Sequence, residues 1–135
     1  MVYFCHYKTK SNGDKKVTMK QITREPSHEC KMAIMAVHDA IDVLSGKWKI
    51  TIITCLLFGP KRYSEIMRDV KGISGKVLSR ELREMETNLL ISRTVIDTQP
   101  ITVSYALTEY GQSVQPIITV LSAWGQTHRE QITKK

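Results

Sequence analysis

An amphipathic pattern fills residues 72–89, which read GISGKVLSRELREMETNL. Ser74 suits the N-cap position, because its hydroxyl can accept a hydrogen bond from a free amide of the first turn. After it, apolar residues recur at the spacing of a helix with one buried face. These residues are Val77, Leu78, Leu82, Met85 and Leu89. The stretch therefore predicts a helix that packs one side onto a core.

The opposite side of this predicted helix is basic. Lys76, Arg80 and Arg83 fall together on it, with Gly75 and Ser79 beside them. A helix with small and basic residues on one face and apolar anchors on the other suits the major groove of DNA. An ordinary solvated surface helix has the same pattern, so the flanking sequence must distinguish the two.

Length and composition narrow the class of protein. The chain has 135 residues, of which 41% are hydrophobic, and this is enough for one domain with a real core. Twenty basic residues against 13 acidic ones give a net charge of +7. This excess favours a polyanionic partner, nucleic acid first and an acidic membrane second. No apolar run approaches the roughly 18 residues of a membrane span.

The chain has three cysteines, Cys5, Cys30 and Cys55. This number is odd, and their spacing does not match that of metal ligands. They argue against a disulfide framework and favour a cytoplasmic chain with reduced thiols. Cys5-His6 with His28 and Cys30 matches no familiar zinc finger, and we predict no metal or cofactor. Paired carboxylates, a nucleophile elbow and a phosphate loop are missing from the sequence, so we do not expect an enzyme.

The pattern along the chain predicts three segments. Residues 1–26 form an arm or tail, residues 27–130 a DNA-binding and dimerisation domain, and residues 131–135 a short C-terminal tail. A helix is predicted from about Ser27 to Ser45, and Gly46 ends it. A second one, from Trp48 to Phe58, is so apolar that we expect burial nearly all round, with Cys55 in the core.

After Phe58 the pattern of apolar residues changes from helical spacing to strand alternation and then back to helical spacing. Residues 61–70 predict a short helix, and a glycine-containing turn joins it to the helix after Ser74, which gives a helix-turn-helix. Residues 90–96 and 101–107 predict two strands of a β-hairpin, with a turn between them. Thr108 should cap a last helix, which Pro116 kinks or restarts.

Five motifs in this order carry a resemblance to a known family. They are Ser45-Gly46-Lys47-Trp48, the stretch GPKRYSEI at residues 59–66, residues 72–85, VSYALTEYG at residues 103–111, and Trp124-Gly125. Together the chain resembles the HxlR-type winged-helix transcription regulators, relatives of the MarR group, over about residues 30–126.

This resemblance implies an α+β, mainly α fold, a winged helix-turn-helix with a two-stranded β wing. It also implies a homodimer whose interface is formed by the terminal helices and which binds an inverted-repeat operator in double-stranded bacterial DNA. Two symmetric recognition helices must meet half-sites about one helical turn apart. We prefer the purely structural interpretation of Trp48 in the family signature, in which it is a core anchor.

The predicted DNA contacts follow from the helix and from its neighbours. Arginine pairs bidentately with guanine, whereas lysine and serine more often position phosphates. The recognition helix would contribute Ser74, Lys76, Ser79, Arg80 and Arg83. Backbone contacts of second rank would come from Lys61, Arg62, and Gln99 and Thr102 at the wing tip.

Three departures from the family pattern concern its function. Oxidant-sensing members often carry a cysteine followed by proline before the Gly-Lys-Trp signature, whereas Cys30 is followed by Lys31 and lies farther away. The wing has Pro100-Ile101-Thr102 where Pro-Pro-Arg is usual, which predicts weaker phosphate or minor-groove contact. Asn88 stands where a glycine usually leads into the wing, and asparagine can also adopt the left-handed conformation.

Cys30 is the candidate sensor of oxidants or electrophiles. It lies at the start of a predicted helix, near His28 and Lys31, where the helix dipole favours the thiolate. The alternative is a small, inert helix residue, and Cys5 could be a resolving partner or have no role. The alternative function from another class is a winged-helix protein-interaction module without operator binding, whose basic face docks an acidic partner.

Overall fold

The computed structural model describes residues 27–134, which are mainly helical with one three-stranded antiparallel sheet. The chain divides into two compact units, with the boundary between Val43 and Leu44. The elements in chain order are α1 (His28–Leu44), α2 (Lys49–Leu56), β1 (Lys61–Arg62), α3 (Tyr63–Asp69), α4 (Gly75–Thr87), β2 (Ile91–Ile96), β3 (Thr102–Leu107), α5 (Glu109–Gln112) and α6 (Gln115–Thr133).

Helix α1 begins where the sequence predicted. The Ser27 hydroxyl accepts a hydrogen bond from the Cys30 amide at 3.2 Å, and the Ser27 carbonyl accepts one from the Lys31 amide at 3.0 Å. None of the residues of α1 is buried. Its large apolar side chains are more than half exposed, namely those of Met32, Ile34, Met35, Val37 and Ile41.

Helix α2 is not buried all round, and that prediction was wrong. Ile52, Ile53 and Leu56 face the core, whereas Thr51 and Thr54 are exposed. Beyond the end of the helix, Phe58 is 86% exposed, and Cys55 is half-buried rather than a core residue. The two threonines and Phe58 recur at helical spacing, so they form an outward face that the high apolar content conceals.

The core of the second unit is formed by α2, α3, the turn before α4, α4 itself, the beginning of the wing and the residue before α6. Its buried apolar residues are Ile52, Ile53, Leu56, Ile66, Val70, Ile73, Leu78, Leu82, Met85, Leu90, Ile91 and Val114. Three short helices thus each bury one stripe against the others, as the three- and four-residue spacing predicts.

Lys61 and Arg62 form a strand, whereas the sequence had indicated the first turn of a helix. Lys61 lies opposite Tyr105 and Arg62 opposite Ser104, so β1 is added to the hairpin and the sheet order is β1-β3-β2. Glu65 then caps the start of α3, because its carboxylate accepts a hydrogen bond from the Arg62 amide at 2.7 Å. The predicted hairpin of β2 and β3 is confirmed, with Ile91 opposite Leu107.

The end of α4 corrects two expectations. Asn88 has an ordinary φ of −83°, and the left-handed residue is Leu89, with a φ of 61°. Leu89 is 69% exposed and so is not part of the buried stripe. The Leu89 amide donates to the Glu86 carbonyl and the Leu90 amide to the Met85 carbonyl, which makes a Schellman motif. The position that suits glycine is therefore one residue later than we placed it.

Leu89→Gly should stabilise the protein by about 1 kcal/mol. A leucine in the left-handed region is strained by about 1–2 kcal/mol, and the greater freedom of glycine in the unfolded chain offsets only part of this gain. Asn88→Gly is the matched control. It should destabilise the protein, because the Asn88 amide group caps the Glu84 carbonyl at 2.9 Å. Urea unfolding of the two variants measures both effects, and equal shifts would contradict the assignment of strain to Leu89.

Ser113 and Val114 connect the last two helices, α5 and α6. The Thr108 hydroxyl accepts a hydrogen bond from the Gly111 amide at 2.9 Å and thereby caps α5, as predicted. Pro116 lies in the first turn of α6, so it restarts the helix and does not kink it. Helix α6 continues through Thr133. Within residues 27–134, none of the helices has the length and apolar content to cross a membrane.

Candidate nucleic-acid interface

Helix α4 carries the predicted reading surface. The Ser74 hydroxyl accepts a hydrogen bond from the Val77 amide at 3.3 Å, which confirms it as the N-cap. With 100° per residue, Lys76, Arg80 and Arg83 lie within about 60° of each other, opposite the buried side chains. All three are exposed, as is Ser79. The helix therefore has one face in the core and one basic face in solvent.

Tyr63 ties α3 to the first turn of α4. Its hydroxyl donates a hydrogen bond to the Gly75 carbonyl at 2.8 Å and shares another, of 3.1 Å, with the Ser79 hydroxyl. The sequence alone could not identify a partner for this hydroxyl. Ser79, a predicted DNA contact, is thus already held by α3.

Arg80 is held at the surface by its neighbour. Its Nη2 atom lies 2.9 Å from Oε1 of Glu81. The Arg80 side chain is 63% exposed, whereas that of Glu81 is 9% exposed. The buried carboxylate therefore restrains the guanidinium without covering it.

The four residues predicted to make secondary contacts with the DNA backbone differ in their surroundings. Lys61 is paired within the protein, since its Nζ atom lies 2.8 Å from Oδ2 of Asp69. Arg62 is exposed at the start of α3. At the wing tip Gln99 is exposed, and the Thr102 hydroxyl lies 2.8 Å from that of Thr98. The charge of Lys61 is balanced by Asp69, which sets it apart from the other candidates.

This ion pair shifts the pKa values of both of its members. The hydrogen bond from Lys61 lowers the pKa of Asp69, with its positive charge and Arg68 adding to the effect, and the same bond raises the pKa of Lys61. A depressed carboxyl pKa stabilises the folded state above the pKa of the unfolded chain, and this contribution is lost as the pH falls.

Asp69→Asn should therefore destabilise the protein at neutral pH but make little difference in acid. The gap between the unfolding midpoints of the two proteins should close as the pH falls below about 4. Urea unfolding from pH 3 to pH 7 measures it. Glu86→Gln removes an exposed carboxylate from α4 and is the control. A gap that stays constant across this range would show that the ion pair does not contribute through charge.

The sequence did not predict a role for Lys49. Its side chain is almost fully buried, and its Nζ atom lies 2.9 Å from Oε2 of Glu84 on α4. Trp48, expected in the core, is half-buried, and the Lys47 ammonium lies 4.6 Å from the centre of its ring. A side chain at Gly72 would meet the Trp48 ring at 3.7 Å, so the tryptophan packs against the turn before α4.

The cysteines differ in state. Cys30 is disulfide-bonded in this structure, whereas Cys55 is a free thiol. Burial raises the pKa of Cys55, and Asp69, 3.8 Å from its sulfur, raises it further, against the opposing effect of Lys61. Cys5 lies outside the described residues. Among residues 27–134, no group of three or more His, Cys, Asp or Glu side chains could hold a metal ion.

A short helix, a tight turn, a second helix with a basic face, and a β-hairpin directly after it define a winged helix-turn-helix protein. Residues 43–133 match the family model described as HxlR-like helix-turn-helix. The chain belongs to this family, which confirms the resemblance.

Relatives with the same architecture support this assignment. YtcD of Bacillus subtilis, described as an HTH-type transcriptional regulator, is 38% identical over 104 residues, 77% of this chain and 82% of that protein. The solved structure of the redox regulator HypR in its reduced form is 32% identical, with a TM-score of 0.68, over 74% of this chain and 99% of that one. Reduced YodB of B. subtilis is 36% identical, with a TM-score of 0.62, over 66% and 87%. The chain is thus a helix-turn-helix transcriptional regulator.

Proposed function

We propose that the protein acts as a homodimer that binds an inverted-repeat operator in double-stranded DNA through α4. The observation that carries this proposal is the exposed basic face of α4, directly opposite its buried stripe. Arginines on such a face can reach guanine edges in the major groove, and the net charge of +7 favours the DNA backbone.

The apolar surface of the terminal helices supports the dimer. Helix α6 has no buried residue, and it exposes Ile117, Val120, Leu121, Trp124 and Ile132. Helix α1 likewise exposes apolar side chains along its length. Such surfaces on a single chain are typical of protein interfaces, and a second copy of the chain would bury them. Two-fold symmetry would then present two copies of α4 to two half-sites.

We extend the proposal to a thiol-dependent response at Cys30, which lies in the first turn of α1. Structural relatives described as redox regulators support this extension. In the reduced protein, in which the Cys30 disulfide is open, the Cys30 thiolate would attack an oxygen of hydrogen peroxide, displace hydroxide and become a sulfenic acid. A second thiol would then form a disulfide with it and release water.

Fluorescence anisotropy tests the operator. Labelled DNA from upstream of the protein's own gene is compared with a scrambled duplex across salt concentrations. The proposal expects selective binding to the first DNA, and light scattering should give twice the mass of the chain. Equal, salt-labile binding to both duplexes would overturn operator recognition and favour an interaction module with a basic face.

The same assay with a thiol oxidant tests the sensor. With wild-type protein that is first reduced, we expect oxidant to weaken operator binding by roughly tenfold or more, reversibly with dithiothreitol. Cys30→Ser should keep its operator affinity and lose the response. Cys55→Ser is the matched control and should still respond, because burial keeps its thiol protonated. A response retained in Cys30→Ser would move the search to another effector.

A further inference from the structure

Two carboxylates of α4 lie close to Arg80 in the sequence. Glu81 and Glu84 lie one and four residues after it, and only Glu81 contacts it, at 2.9 Å. Glu84 is bonded to Lys49 of α2 instead, at 2.9 Å. Residues four apart on a helix are neighbours, so Glu84 lies within reach of an ion pair with Arg80.

Lys49 is unusual among the lysines of the described residues because its side chain is only 9% exposed. A buried ammonium is costly unless a counter-charge meets it, and Glu84 supplies that charge from a position 47% exposed. The hydrogen bond and charge of Lys49 lower the pKa of Glu84, and the charge of Arg80 lowers it slightly further. The charges of Arg80 and Glu84 are therefore close enough to influence each other.

We infer that Lys49 is a positioning residue for operator recognition: it binds Glu84 and so keeps that carboxylate from drawing Arg80 away from DNA. This inference rests on the proposed function. Without Lys49, the Glu84 carboxylate would be free to pair with the Arg80 guanidinium at i,i+4 spacing. It would also place an unbalanced negative charge beside the phosphates.

The test uses the full chain and the operator assay above. Lys49→Met keeps most of the length of the side chain and suits a buried site, and it should weaken operator binding roughly five- to tenfold, since both half-sites are affected. Adding Glu84→Gln should restore affinity to within about twofold of the wild type. Glu86→Gln, added to Lys49→Met in its place, is the matched control and should restore nothing.

A purely structural role for Lys49 predicts a different pattern. The double variant Lys49→Met with Glu84→Gln would then bind as weakly as Lys49→Met alone, which would overturn the inference. The inference also requires that Lys49→Met cause a smaller further loss in an Arg80→Ala background than in the wild type, because part of its effect acts through Arg80. A full additional loss there would likewise overturn it.

A second readout separates this inference from operator recognition itself. The Glu84 carboxyl is titrated by NMR in the absence of DNA, with and without Arg80→Ala. The shift in the pKa of Glu84 on loss of Arg80 should be small when Lys49 is present and larger in Lys49→Met. Equal shifts would refute the positioning role. Wild-type protein that fails to select the operator would refute the proposed function but leave this result to decide the inference.

Discussion

Gly111→Ala should destabilise the protein by about 3 kcal/mol or more, a large part of the stability of an ordinary domain. A β-carbon at Gly111 would lie 1.9 Å from the Leu90 carbonyl oxygen and 3.2 Å from Cδ2 of Leu107. The first neighbour is backbone and cannot rotate away. It also accepts hydrogen bonds from the Thr108 amide and hydroxyl, so any displacement would break the junction between α5 and the wing.

Guanidinium unfolding measures this loss as a shift of the midpoint at constant slope. Gly125→Ala is the matched control, because nothing lies within 4 Å of the methyl group that it adds in the middle of α6. It should leave the free energy of unfolding unchanged or raise it by up to about 1 kcal/mol. A Gly111→Ala variant as stable as the wild type would mean that α5 does not pack against Leu90 as described.

Arg80→Ala should produce the largest loss of operator affinity among the α4 variants. One bidentate contact to guanine contributes about 1–3 kcal/mol, and a two-fold complex contains it twice, so a loss of roughly 30-fold or more is expected. Arg80→Lys should lose most of the same discrimination, because an ammonium cannot form the two parallel bonds of a guanidinium. Binding to scrambled DNA should weaken far less.

Folding must be checked in the same variants, because Arg80 balances the nearly buried carboxylate of Glu81. Circular dichroism and urea unfolding provide this check, and Arg80→Lys keeps a positive charge near Glu81. Arg129→Ala on α6 is the control for the loss of one exposed positive charge. Unchanged operator affinity in a folded Arg80→Ala protein would count against α4 as the reading helix.

Local chemistry made much of this fold predictable. Ser27, Ser74 and Thr108 cap helices as expected, since a cap depends only on a hydroxyl and amides three residues away. The hairpin was predictable because strand alternation and its turn are also local signals. The family followed from five motifs in the right order, and the basic face of α4 followed from helical spacing alone.

Errors occurred where a residue's role depends on distant parts of the chain. Lys61 and Arg62 continue a helical pattern but pair with β3, some 40 residues later, and form a strand. At the end of α4, Leu89 and not Asn88 takes the left-handed conformation, because the burial of Leu90 fixes where the chain must turn. Asparagine has the higher propensity for the left-handed conformation, but the packing of Leu90 overrides this preference.

The sequence by itself determined the helix-turn-helix, the wing and the charge on the exposed face of α4, since each depends on periodicity within a few turns. Only the tertiary structure decided which polar groups meet: Tyr63 with Ser79, Lys61 with Asp69, and Lys49 with Glu84. These pairs join residues separated by 8 to 35 positions along the chain. Their partners are set by how the helices pack, and no local pattern encodes that arrangement.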